Sequence, residues 1–299
     1  MAALGDVERN AVMEDVPSVT CTSCAAHIEP PRSTEAFPCP YCGSSIVVKV
    51  SSEHLIKPQA LLPFKVPRND ALESFRRWLK TRWFAPNALK KFARLDDRLQ
   101  GLYTPYWTYD ASTVSRYTGE RGDNYTVRVG KRTTTRIRWR SASGTVSRDF
   151  DDVLVVGSRS LPRELAEKLE PWDVASLVPH ADEYLSGFLA ERYQIDLREG
   201  WKRATERMDE VIRQDVRRQI GGDHQRIHTL QTRHGDVTYK HVLLPLWICS
   251  YRFRDRVFRF LVNARTGEVQ GQRPWSAIKI ALAVIAATIV ALLIYSASR

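Results

Sequence analysis

The usual nucleotide and nucleophile fingerprints are missing from this 299-residue chain. No G-x-x-x-x-G-K-[ST] run occurs, and Gly130-Lys131 lacks the upstream glycine, so a P-loop for a nucleotide's phosphates is excluded. There is no G-x-G-x-x-G fingerprint and no G-x-S-x-G, which removes a Rossmann dinucleotide site and a nucleophile elbow. Acid is scarce: 34 Asp and Glu stand against 45 Lys and Arg, a formal net charge of +11. That sign favours an anionic partner, either nucleic acid or acidic membrane headgroups, with solubility as the alternative use of the charge. The opening residues, MAALGDVERNAVMEDV, carry acids and no apolar h-region, so no signal peptide is expected. Disorder is excluded as well, because an apolar fraction of 43% and eight Trp are enough for a packed core.

Cysteine is sparse but concentrated. Of five cysteines, four stand as Cys21-Thr22-Ser23-Cys24 and Cys39-Pro40-Tyr41-Cys42, with fourteen residues between the pairs. A Cys-x-x-Cys turn places two thiolates on one side of a tetrahedral ion, and the second turn completes the set. Gly43, after the last cysteine, lets the backbone curl over the sulfurs. The spacing predicts one structural Zn²⁺ held by Cys21, Cys24, Cys39 and Cys42. An iron site with the same ligands and a redox pair are the alternatives. Four protein ligands leave no open position, so the ion is not expected to be catalytic. Thiols in metal spacing without an export signal place the chain in a reducing compartment. Cys249, inside the apolar run LWICSY, reads as a core residue.

The fold class expected is α+β: an N-terminal zinc ribbon, a mixed body of helices and antiparallel sheet, and a single C-terminal transmembrane helix. Residues 1–17 read as a flexible tail, 18–50 as the ribbon, 55–275 as the body and 277–295 as the membrane helix. Within the body, Asn69 or Asp70 is placed to cap a helix through about Trp83, with a second helix at about 86–92. Residues 102–157 read as strands, then helices at about 162–169, 180–193 and 198–220, the last stopped by Gly221-Gly222. Strands resume to Gln272, with a hairpin near Asp255. Tyr103-Thr104-Pro105-Tyr106-Trp107 and Leu243-Leu244-Pro245-Leu246-Trp247 share a Pro-x-Trp step. The body thus has room for two similar helix-plus-sheet halves, although so short a match is what chance produces.

Ala277 to Tyr295 is apolar apart from Lys279 and Thr288. At helical rise this run spans about 28 Å, close to the ~30 Å hydrocarbon core of a bilayer. Trp275 and Tyr295 lie at its ends, where interfacial aromatics are favoured, and Lys279 is placed to snorkel. Arg252, Arg254, Arg256, Arg259, Arg265 and Arg273 precede it and only Arg299 follows. The positive-inside rule then predicts a single-pass protein of the cytoplasmic membrane, its bulk in the cytoplasm and a short C-terminal end outside.

Basic charge clusters elsewhere too. Seven Lys or Arg and no acid fall between Arg76 and Arg94, and nine fall in 116–148 against Glu120 and Asp123. In RIRWR, Ile137 and Trp139 share one strand face while Arg136, Arg138 and Arg140 share the other. With Arg128, this row is the candidate contact for an anionic partner, either nucleic-acid phosphates or lipid headgroups. His224 and His228 are too near Gly221-Gly222 for a helix to present them as a metal pair.

Several stretches together resemble a known family: FPCPYCGSS, IKPQALLPFKV, LQGLYTPYWTYDA with YTGERGD, and VLLPLWICSYRFRDRVFRFLVNARTGEVQGQRP before the apolar run. They are similar to bacterial membrane-anchored zinc-ribbon proteins labelled primosomal protein N′ (replication factor Y)-like, or TFIIB-type zinc-ribbon proteins. The resemblance implies a cytoplasmic ribbon, an α+β body and one membrane span, with a role in recruiting a protein partner. The ATPase motifs of a replication helicase are absent, so that activity is not implied. The expectation is a binding module or scaffold rather than an enzyme; the alternative is a nucleic-acid-binding, replication-associated protein.

Overall fold

The structure is a computed structural model, and it describes residues 5, 8–9, 11–30, 34–84, 86, 99–130, 132–253 and 256–298. The helix expected at 86–92 falls almost wholly outside these residues.

The described chain is mixed α and β and rich in sheet. Six short strands come first: β1 (Met13–Thr20), β2 (His27–Glu29), β3 (Ala36–Pro38), β4 (Ser45–Val47), β5 (Ser51–Ile56) and β6 (Ala60–Leu61). Helix α1 (Arg68–Lys80) leads to two very long strands, β7 (Gln100–Val129) and β8 (Arg132–Val156). Helix α2 (Arg163–Glu167), β9 (Val178–Pro179) and β10 (Leu189–Glu191) precede helix α3 (Leu197–Ile220). Then come β11 (His224–Phe253), β12 (Arg256–Asn263), β13 (Val269–Gly271) and the terminal helix α4 (Ala277–Ala297).

The main sheet runs β13-β12-β11-β7-β10-β2-β1-β5, while β3 and β4 form a separate hairpin. β7 is its spine. β11 pairs along one edge from Ile248↔Gln100 to His224↔Gly122. On the other edge β10 pairs first, at Leu189↔Leu102, and β8 takes over from Tyr106↔Val156 to Val129↔Arg132. The result is a three-stranded finger. A 30-residue strand such as β7 spans about 100 Å, so the finger extends well past the base of the sheet.

One face of the finger is covered by α3. Trp201, Ala204, Met208, Ile212, Val216 and Ile220 fall at steps of three and four, making a single apolar stripe. It packs on Trp107, Tyr109, Ala111 and Tyr117. Asp196 caps the helix by accepting the Glu199 N–H at 2.7 Å, and Gly221, at φ 67°, ends it where a side chain would be strained. The opposite face alternates out to solvent through Ser112, Val114, Arg116 and Thr118.

Contacts on the two sides of the base mirror one another. Thr104 and Leu244 lie directly opposite, with Tyr103↔Pro245 and Pro105↔Leu243 flanking them. Trp107 Nε1 donates to the Ile195 carbonyl ahead of α3, and Trp247 Nε1 donates to the Val66 carbonyl ahead of α1, both at 2.8 Å. Tyr193 meets Trp107 edge-on at 5.0 Å, as Phe64 meets Trp247 at 5.1 Å. β10 runs parallel to β7 just as β6 runs parallel to β11. The two Pro-x-Trp steps therefore sit about a local twofold axis.

Several expectations are corrected. Met13–Pro17 is not part of a loose tail: it is strand, paired with Ser52–Ile56 of β5, and Val16 is buried. Polar residues hid it, because a strand near the margin of a sheet needs partners for its backbone more than apolar side chains. Helix α1 starts at Arg68 behind Pro67, with no side-chain cap from Asn69 or Asp70. Proline sets the backbone angle and has no N–H to satisfy. The helix expected at 180–193 is a 3₁₀ turn (Asp182–Leu185) followed by β10. There the open edges of β7 and β2 supply hydrogen bonds that outcompete local propensity. Cys249 is buried within β11, as expected.

Candidate metal centre

Two turns of the same shape bring the four cysteines together. In the first, Ala25 N–H donates to Cys21 C=O at 2.8 Å and Cys21 N–H to Ala26 C=O at 2.9 Å. In the second, Gly43 N–H donates to Cys39 C=O and Cys39 N–H to Ser44 C=O, both at 2.8 Å. Each turn ends on a residue with positive φ, Ala25 at 56° and Gly43 at 73°. Glycine adopts that conformation freely, whereas alanine pays about 1 kcal/mol.

The Cys21 and Cys42 Sγ atoms are 3.7 Å apart, and those of Cys24 and Cys39 are 3.6 Å apart. All four sulfurs lie within 4.8 Å of one another. A tetrahedron with metal–sulfur bonds of ~2.3 Å has edges of ~3.8 Å, so the set fits one metal ion without rearrangement. Cys21 and Cys39 are buried while Cys24 and Cys42 are partly exposed. The Cys24 thiol is pulled down to about 5, first by its hydrogen bond with Cys39, and Cys39 is pushed up in return. A metal ion resolves this crowding by binding thiolates and displacing their protons.

The centre is fastened to the body through Tyr41. Its ring is fully buried and its hydroxyl donates to Glu191 Oε2 in β10. Ser158 Oγ donates to Glu191 Oε1 at 2.7 Å. Burial pushes the Glu191 carboxyl up to about 7. From the other side Arg259 Nε donates to the Tyr41 carbonyl. Just after β10, Arg192 pairs with Glu29 at 2.8 Å. Nothing in the sequence points to Glu191 or Arg259 beforehand, since they lie far from Tyr41 along the chain. The only local sign is an aromatic residue inside a Cys-x-x-Cys.

Asp110, Asp151 and Asp152 also approach one another. They stitch a β-bulge: Asp110 accepts Asp152 N–H at 2.8 Å and Thr238 Oγ1–H at 2.7 Å, and Lys240 reaches Asp152 at 3.3 Å. The Asp110 and Asp152 oxygens are thus engaged in holding the strand, while Asp151 is exposed.

The arginine row lies at the tip of the finger. Tyr125↔Arg136, Asp123↔Arg138 and Arg121↔Arg140 are opposite pairs, so Arg136, Arg138 and Arg140 share one exposed face, the face α3 covers lower down. Arg138 lies over the Tyr125 ring at 4.9 Å. Arg128, opposite Thr133, points to the other face. It is therefore not brought together with the other three. On that second face Arg226 stacks on Trp139 at 3.9 Å. His224 faces Asn124 at 3.2 Å and His228 faces Glu120 at 3.5 Å, so the two histidines do not converge on one centre.

Helix α4 is 21 residues long, long and apolar enough to cross a membrane, and no residue in its most apolar stretch is buried. Lys279 does not reach outward: its Nζ donates to the Trp83 carbonyl at 3.1 Å.

No family model matches the chain. It is 27% identical over 245 residues, covering 80% of this chain and 70% of the relative, to a Bacillus subtilis (strain 168) protein described as "Uncharacterized protein YdjG". No solved structure matches.

Proposed function

We propose that this chain is a membrane-tethered zinc-ribbon scaffold that recruits a protein or an anionic partner to the cytoplasmic face of the membrane. The observation that carries the reading is the pairing of a closed four-thiolate centre with an apolar helix that the body leaves uncovered. A centre with every position filled by sulfur favours zinc in a structural role and offers no place for substrate. The uncovered helix needs a hydrocarbon environment, and the arginines ahead of it favour a cytoplasmic body. Tethering raises the local concentration of weak contacts, so a modest binding surface suffices.

The finger tip is the surface we assign to the anionic partner, with Arg136, Arg138 and Arg140 presented together and Tyr125 beside them. A second reading is favoured by that same tip: cations flanking an exposed aromatic suit single-stranded nucleic acid. To test the scaffold reading, full-length protein is isolated from membranes with its bound partners. Wild type is compared with Arg136→Glu/Arg138→Glu/Arg140→Glu and with Cys39→Ser. Loss of a specific co-purifying protein in either variant supports recruitment. A nucleic acid lost only from the arginine variant, with steep salt dependence, supports the second reading. Identical partners in all three samples would contradict both.

A further inference from the structure

The mouth of α4 is built from two distant stretches of chain. One is Arg273–Lys279. The other is the turn after α1, Thr81–Phe84. Ser276 N–H donates to the Phe84 carbonyl at 2.8 Å, Lys279 Nζ to the Trp83 carbonyl at 3.1 Å, and the Phe84 and Trp275 rings lie 6.4 Å apart. Trp83 is 82% exposed and Trp275 60% exposed. Two indoles left open to water beside an uncovered apolar helix are arranged as interfacial anchors are.

Two arginines accompany them. Arg82 lies over the Trp78 ring at 4.8 Å and Arg273 over the Trp275 ring at 4.5 Å. Among the described residues no carboxylate is paired with either guanidinium, and Arg82 Nε is buried without a hydrogen-bond acceptor. Burial lowers the Arg273 pKa, and the nearby Arg82 charge lowers it further. Two neighbouring cations, one with a buried N–H unanswered among the described residues, are a site short of an anion.

We infer that this collar binds the headgroup phosphate of an anionic phospholipid: Trp83 and Trp275 sit in the interfacial layer, and Arg82 and Arg273 close on the phosphate between them. The inference rests on the reading of α4 as a membrane span. Continuity with that helix selects lipid over any dissolved polyanion, because the patch lies at the depth where headgroups begin. A consequence follows for the whole chain. Since α1 belongs to the body, a second contact at Trp83 would fix the body, and with it the finger, at one attitude to the bilayer, where a lone helix would let it swivel.

The test uses full-length protein in vesicles of phosphatidylcholine and phosphatidylglycerol, with bromine carried near the headgroup end of the acyl chains as a quencher of indole fluorescence. Trp275→Phe and Trp83→Phe should each remove a share of the quenched emission. Quenching of Trp275 without Trp83 overturns the collar and leaves the span intact. Quenching of neither overturns the span reading and the collar with it. In a second arm, lipid retained by detergent-extracted wild type should be enriched in phosphatidylglycerol. Arg82→Gln/Arg273→Gln should lower that enrichment about thirtyfold, in line with roughly 1 kcal/mol for each of the two basic residues at an anionic surface. Unchanged enrichment overturns the assignment. So does shielding of Trp83 from the quencher accompanied by a detergent-stable dimer, which would show a second copy covering the patch.

Discussion

Tyr41 occupies the middle of a Cys-x-x-Cys, yet its hydroxyl turns away from the sulfurs to Glu191. Replacing it by phenylalanine would leave a buried carboxyl short of a donor. Tyr41→Phe is therefore expected to cost about 1–3 kcal/mol of stability, read as a lower thermal midpoint with metal content unchanged. His241 is the other buried titratable group with a clear consequence. Its Nδ1 donates to the Ile56 carbonyl at 2.8 Å, its Nε2 has no partner, and burial pulls its pKa down to about 4. Nearby Arg192 and His180 push the same way. The unfolded chain then takes up the proton first. The contribution from His241 is complete above about pH 6.5 and is lost as pH falls toward about 4. His241→Gln should flatten the stability profile across that window; comparing the two proteins at each pH separates the effect from acid loss of metal, which both share. An equal slope in both would contradict the assignment. At this scale the sequence was half legible. Cysteine spacing is local and announces itself, whereas the partners of Tyr41 and His241 come from strands the chain brings together only on folding.

The elements divide in the same way. Helix α3 could be read in advance at about 198–220 from its local Gly221-Gly222 stop, and the apolar stripe and Asp196 cap that the structure adds are local as well. Met208 lies in the middle of that stripe and is fully buried. Met208→Ala is expected to cost about 2–5 kcal/mol by opening a cavity between helix and finger, measurable as a shifted denaturant midpoint. A loss below about 0.5 kcal/mol would mean that the helix does not pack there. The long strands were read only in pieces. Gly119 and Gly122 in β7 and Gly235-Asp236 in β11 look like turns, yet the ladder passes through them. Register shifts between Ile227 and Thr229 and between Gly235 and Thr238 absorb the irregularity. The Pro-x-Trp echo carried too few letters to argue from sequence. Its meaning lies in Trp107 and Trp247 each reaching the backbone ahead of the helix they pack against.

Across the whole molecule, the expectation of an α+β body with a cysteine cluster at one end and an apolar helix at the other agrees with the structure, while the junctions do not follow the composition of the chain. The strands beside the ribbon, β1, β2 and β5, belong to the main sheet, and Tyr41, Glu191 and Arg259 tie the metal turns into it. Loss of metal should therefore disturb the base of the body as well as the ribbon. The central claim is that the four cysteines hold one structural zinc. Elemental analysis of full-length protein extracted from membranes without chelator, with a thiol titration on the same sample, tests it most directly. The account predicts about one zinc per chain and no ready reaction at Cys21, Cys24, Cys39 or Cys42 until a chelator is added. A chain with no bound metal, or with those four thiols freely reactive as purified, would contradict it.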